Sequence, residues 1–206
     1  MQSSINVAQA FGLVGEMYDL TPRRVDAVEA AATATMGFAA GQSSAGAIAD
    51  MSATYSTFLG VFVRPHEQVS YGTSDGALYP TVAAPAGTTV QVCKMGRVVV
   101  EIEFSATHTV AAASYDKATE DAAAITALKA LSAILDNQAA YVDTYGGTYK
   151  FTATATSNTL VGKFVKGASA ADAIAAGNEP VCSVADSSTN KVTTAKVKAL
   201  LVLQIG

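Results

Sequence analysis

The chain has no tryptophan, two cysteines, two histidines and few charges, and each shortage excludes something. Cys93 and Cys182 cannot make a disulfide framework, and a chain of 206 residues needs none. Two small, reduced core thiols are expected, with a single Cys93–Cys182 bridge as the other arrangement. The histidines, His66 and His108, have no zinc-type spacing and no cysteine close by, so no metal site is expected. Both are read as exposed loop residues. Charged residues make up 15% of the chain, against a usual quarter. A net charge of −4 and a pI near 5.1 leave no basic footprint for nucleic acid or an anionic membrane. No stretch approaches 18 uninterrupted apolar residues, so no membrane helix is expected. The first basic residue is Arg23 and no apolar run of signal-peptide length precedes it, so the common secretory route is not expected.

What remains is small and apolar. Half of the chain is hydrophobic, and alanine alone supplies 41 residues beside abundant Thr, Ser, Val and Gly. Small, β-compatible side chains point to thin, tightly layered sheets.

The expected fold is mainly β, a sandwich or barrel-like body with one inserted α-helix and an extended N-terminal arm. Residues 1–26 read as that arm, turning at Gly12, Gly15 and Thr21-Pro22. Residues 27–206 form the body. Its β-rich parts, 27–115 and 148–206, can make one unit or two subdomains. Residues 28–51 read as a strand followed by a loop, and 57–65 as a buried strand closed by Pro65. Two strands are expected in 80–104, split by Lys94-Met95-Gly96-Arg97. In the second, Val98, Val100, Ile102 and Phe104 alternate with Val99, Glu101 and Glu103, the pattern of a half-buried strand. The helix is expected over 119–142, capped by Thr119, with Glu120 and Asp121 in its first turn. Ile125, Leu128, Leu131, Ile134, Leu135 and Val142 would form its buried stripe. Beyond it, 148–157 and 159–165 read as paired strands. Ser169, Asp172 and Gly177 bracket a short helix, and two closing strands follow.

Candidate chemistry is sparse. No G-x-S-x-G elbow appears, and the glycine-rich stretches 12–15 and 41–46 lack the lysine and strand–helix setting of a phosphate loop. Glu101 and Glu103 lie about 7 Å apart along one strand face, a spacing open to paired carboxylates but more typical of a solvated face. No catalytic residue and no cofactor is expected. Arg23-Arg24 is the one paired basic site, either a solvated turn or an anchor to an acidic surface.

Several short motifs together carry a resemblance. "MQSSINVAQAFGLVGEMYDLTPRRV" runs to Gly15-Glu16 and then Pro22. "FLGVFVRP" is a Gly-x-Phe-Val strand (Gly60, Phe62, Val63) ending at Pro65, and a later strand carries the Met95-Gly96 turn. With "LVGKFVKG" at 160–167, these resemble the structural cement, or decoration, proteins of tailed-phage capsids over most of 1–104 and 148–206. The long helix departs from that pattern. The resemblance implies a non-enzymatic protein on the exterior of the virion capsid, bound to the major capsid protein and to itself as a homotrimer. It would clamp neighbouring capsid subunits, with Phe11, Leu13, Val14, Arg23 and Arg24 as candidate capsid contacts. The alternative is another structural role, as a tail, fibre or adhesin component that binds a host receptor.

Overall fold

The computed structural model describes residues 13–18, 22–64, 83–143, 150–155, 158–186 and 189–206. One ten-stranded sheet dominates, and its ladders are all antiparallel. The expected β-rich body with helices is therefore what the chain forms.

Four short strands come first: β1 (Arg24–Glu29), β2 (Ala34–Thr35), β3 (Ala39–Gln42) and β4 (Ile48–Asp50). The expectation of one strand and a loop over 28–51 missed β3 and β4. β5 (Thr57–Val63) follows as expected, and β6 (Ala83–Ala84) pairs with β2 in a separate two-stranded sheet.

β7 (Thr89–Ala111) is the spine of the fold at 23 residues. The expected break at 94–97 is not a break in the strand. It is a change of partner: β1 pairs with β7 up to Met95, and β12 (Asn190–Ile205) pairs with it from Gly96 to Ala111. Gly96 takes a φ of +136°, a conformation glycine allows, where the strand passes from one ladder to the next. Alternation holds along β7, with Val98, Val100, Ile102 and Phe104 buried in the main core. β12 answers with Val197, Ala199, Leu201, Leu203 and Ile205 on the same face. Val99 breaks the expected pattern. It lies on the opposite face, yet it is buried beside its cross-strand partner Val202.

The inserted helix is shorter than expected. α1 runs over Lys117–Lys129, with Asp116 rather than Thr119 as its cap; the Asp116 carboxylate accepts the Thr119 N–H. Lys117 and Asp121, four residues apart, pair along its outer face. Residues past Lys129 keep helical spacing by coincidence, because tertiary pairing takes them. Ile134 bridges to Ala168, Asn137 turns the chain at φ 63°, and β8 (Gln138–Asp143) carries Val142. Of the expected stripe, Leu128 is fully buried on the helix, while Leu131 and Leu135 are 36% and 67% exposed.

The predicted hairpin of 148–157 with 159–165 also differs. β9 (Lys150–Thr152) and β10 (Thr159–Lys166) both pair with β8, which lies between them. α2 (Ala170–Ala175) is capped by Ser169 as expected, and β11 (Val181–Asp186) closes onto β12. The path of the sheet folds back on itself, so that β9 at one end faces β7 in the middle, joined by Lys150 Nζ to Glu103 Oε1 at 2.9 Å. Inside lies the main core, roofed by Ala124 and Leu128 of α1. A second, smaller core, with Met36, Phe62, Val90 and Val92, lies under β2 and β6.

Candidate functional site

The N-terminal segment binds its own sheet. Gly15 N donates to Val99 O at 2.8 Å, Val99 N to Glu16 O at 2.9 Å, and Tyr18 N to Arg97 O at 2.8 Å. β12 occupies one edge of β7 here, so residues 15–18 take the other. Arg64, at the end of β5, closes the join: its backbone N–H donates to Gly15 O and its Nε to Val14 O, both at 2.8 Å. No alternating pattern in 1–26 signals that pairing, because only four residues take part and Gly15 turns the chain among them.

The candidate contact residues divide by position. Phe11 lies outside the described residues. Leu13 is 46% exposed and its N–H is tied to Glu16 Oε2 at 2.9 Å, while Val14 is only 7% exposed. Arg23 is exposed, one residue before β1. Arg24 is exposed too, but its Nε sits 3.3 Å from Asp26 Oδ1, and Lys94 Nζ reaches the other Asp26 oxygen at 2.7 Å. The Lys94 hydrogen bond, followed by that of Arg24, holds the Asp26 carboxyl below its usual range. The paired arginines therefore differ: Arg24 has an acidic partner in its own chain.

A cleft of about 290 Å³ opens between β9 and the β7–β12 ladder, lined by Phe38, Asp50, Met51, Glu101, Glu103 and Phe151 among others. Its carboxylates are all engaged. Lys198 holds Glu101 at 2.8 Å, and Lys196 and Lys150 hold Glu103 at 3.1 and 2.9 Å. Each β12 lysine reaches diagonally, since Lys198 lies directly opposite Glu103. Burial acts to raise the Glu103 carboxyl, but the two lysines together outweigh it and hold it low. Burial pushes the Asp50 carboxyl up, against hydrogen bonds from Thr35 N at 2.7 Å and Thr35 Oγ1 at 2.6 Å. The matching two-residue spacings of Glu101/Glu103 and Lys196/Lys198 were the signal for this network, which becomes readable once β7 and β12 are known to pair.

His108 is not on a loop. It lies within β7, its Nε2 2.9 Å from Glu120 Oε2 on α1, close enough for an ion pair yet without the alignment of a hydrogen bond. His66 lies outside the described residues. Both cysteines are free thiols, Cys93 buried and Cys182 partly exposed, and burial raises the pKa of each, which disfavours reactive thiolate. Among the described residues no three His, Cys, Asp or Glu side chains gather to hold a metal, and no helix is long and apolar enough to cross a membrane.

Paired carboxylates, high-pKa thiols and an N-terminal segment sewn into the sheet belong to a β-rich protein. The model of the structural cement protein family (E217 gp24/Pam3 gp6) matches residues 1–178, and the chain belongs to that family of phage proteins. The family implies a structural, non-enzymatic role, association with capsid proteins and a place in the virion. No curated protein matches the chain.

Proposed function

We propose that this protein binds the outer surface of the assembled phage head and clamps neighbouring major capsid subunits. The observation that carries the reading is the family match over residues 1–178. A ligand that binds only the assembled lattice stabilises it by mass action, and many weak copies add avidity. In this reading the arm, residues 1–26, and the body, residues 27–206, divide the work. Residues 15–18 fasten the arm to β7 and Val14 seats it against Gly37 and Arg64, while Leu13, the Phe11 that precedes it and exposed Arg23 meet the capsid. Arg24, tied to Asp26, orients β1 beside them.

The test removes what precedes the fastening. Deletion of residues 1–12 leaves Val14, the Gly15–Val99 bond and the Arg64 contacts intact, so the truncated chain keeps its circular dichroism spectrum and melting temperature. It co-sediments with expanded heads far more weakly than the full chain, and Arg23→Glu weakens binding further. Full binding by the truncated chain would remove the arm from the attachment surface.

A further inference from the structure

The exposed edges of the main sheet are unequal. β4 and β9 are three residues long, and β1, at six, carries Arg24, Asp26 and Glu29. Short length and charge are the ordinary protections of a sheet edge. β11 has neither. It runs six residues, Val181–Asp186, and its first five carry no charge. Its inner edge pairs fully with β12, from Val181 opposite Lys196 to Asp186 opposite Lys191. Among the described residues no backbone hydrogen bond reaches its outer edge. Val181 stands 68% and Val184 38% exposed, on opposite faces of the strand.

We propose that β11 is a self-association edge, pairing antiparallel with β11 of a second copy across a two-fold axis. Three features favour a second copy as the occupant. First, a two-fold axis normal to the sheet keeps like faces together, so partners across it must share parity and one residue lies opposite its own copy, with the axis midway between them. The uncharged run 181–185 is centred on Ser183, which gives Ser183 opposite Ser183, Cys182 opposite Val184, and Val181 opposite Ala185. Every pair then has the same parity. Second, the strand's only charge, Asp186, is carried to the far end of the partner strand, so the two carboxylates never face each other. Asp186 also has Lys191 of its own chain 3.6 Å away. Third, both exposed valines gain apolar neighbours on the continued sheet, Val184 against Cys182 and Val181 against Ala185. The contact closes at two copies, unlike the three-fold association that the family resemblance implies. It needs no capsid, so it stands or falls separately from the capsid-binding reading.

The experiment uses the full chain free in solution. Sedimentation equilibrium should give a dimer mass. The double variant Val181→Lys/Val184→Lys, which places charges on an already exposed strand, should weaken dimerisation at least about tenfold while leaving the circular dichroism spectrum unchanged. Ser183→Cys brings two thiols directly opposite, with Cβ atoms about 4.5–5.5 Å apart, close enough that a small shift lets them bond, and should form a covalent dimer under mild oxidation. The wild type should not, because its Cys182 residues sit diagonally, about 7–8 Å apart. A monomer or trimer mass for the wild type would overturn the proposal. So would a lysine variant that still dimerises, or a Ser183→Cys protein that does not cross-link.

Discussion

Val14 Cγ1 fills the space that a Cβ at Gly37 would need, and Gly37 holds φ at +82° in the turn between β2 and β3. The contact holds the arm to the body at a second point, apart from its β7 pairing. Gly37→Ala is expected to add about 1–2 kcal/mol of left-handed backbone strain and about 1–3 kcal/mol of overpacking. Chemical denaturation reads the total. Hydrogen exchange at Val99, whose N–H is held by Glu16 O, reads the arm alone. Unchanged stability together with unchanged Val99 protection would show that Val14 is not seated there.

The inserted helix makes a paired prediction. Leu128→Ala should destabilise the fold by about 2–5 kcal/mol, because that side chain is fully buried. Leu131→Asp lies past the end of α1 on a 36% exposed residue and should cost less than about 1 kcal/mol. Urea melts of the two variants give the comparison, and equal losses would mean that the helix continues through Leu131.

The β character of the chain was readable because alternation in 98–104 and the short apolar run 57–63 are local signals. Ser169 and Asp172 likewise marked α2 through a contact spanning three residues. What was not readable depends on pairing between distant parts. The helix end at Lys129 is set by the Ile134–Ala168 bridge, which competes with a helical spacing that the sequence continues. The backbone pairing of Val99 depends on residues more than 80 positions earlier, and His108 reads as a loop residue because its partner Glu120 sits on another element. The candidate contacts came from resemblance and bare composition, so nothing local separated Val14, which is buried, from Leu13, which is not.

Acid should weaken the protein partly through Glu103. Its carboxyl is held low in the folded state, so the unfolded chain binds a proton more readily than the native one. The stabilisation is present above the ordinary glutamate value near about pH 4.3 and is lost as pH falls below it. Asp26 and Asp116 act in the same sense, while Asp50, held high by burial, acts in the opposite one. Melting temperatures from pH 7 down to 3 should therefore fall less steeply for Glu103→Gln than for the wild type. Parallel curves would show that the lysines contribute nothing to folding through this group.

His108→Ala should not behave as a surface change. Glu120 is 6% exposed, and the substitution leaves its carboxylate between α1 and β7 without the imidazole beside it. A loss of about 1–3 kcal/mol is expected, and Glu120→Gln on the His108→Ala background should restore part of it. A single variant within about 0.5 kcal/mol of the wild type would place this pair among inert surface contacts.

The arm's pairing also sets how the molecule bears tension. A pull on the N-terminus directed along β7 loads the Gly15–Val99, Glu16–Val99 and Tyr18–Arg97 bonds side by side, in shear, with the Arg64 contacts to Val14 and Gly15 sharing the strain. A pull perpendicular to the sheet would open the same bonds one after another, as a zipper. A shell under pressure from within stretches in its own plane. If the proposed capsid binding lays β7 along such a shell, the arm would be strained in the direction in which it gives way last.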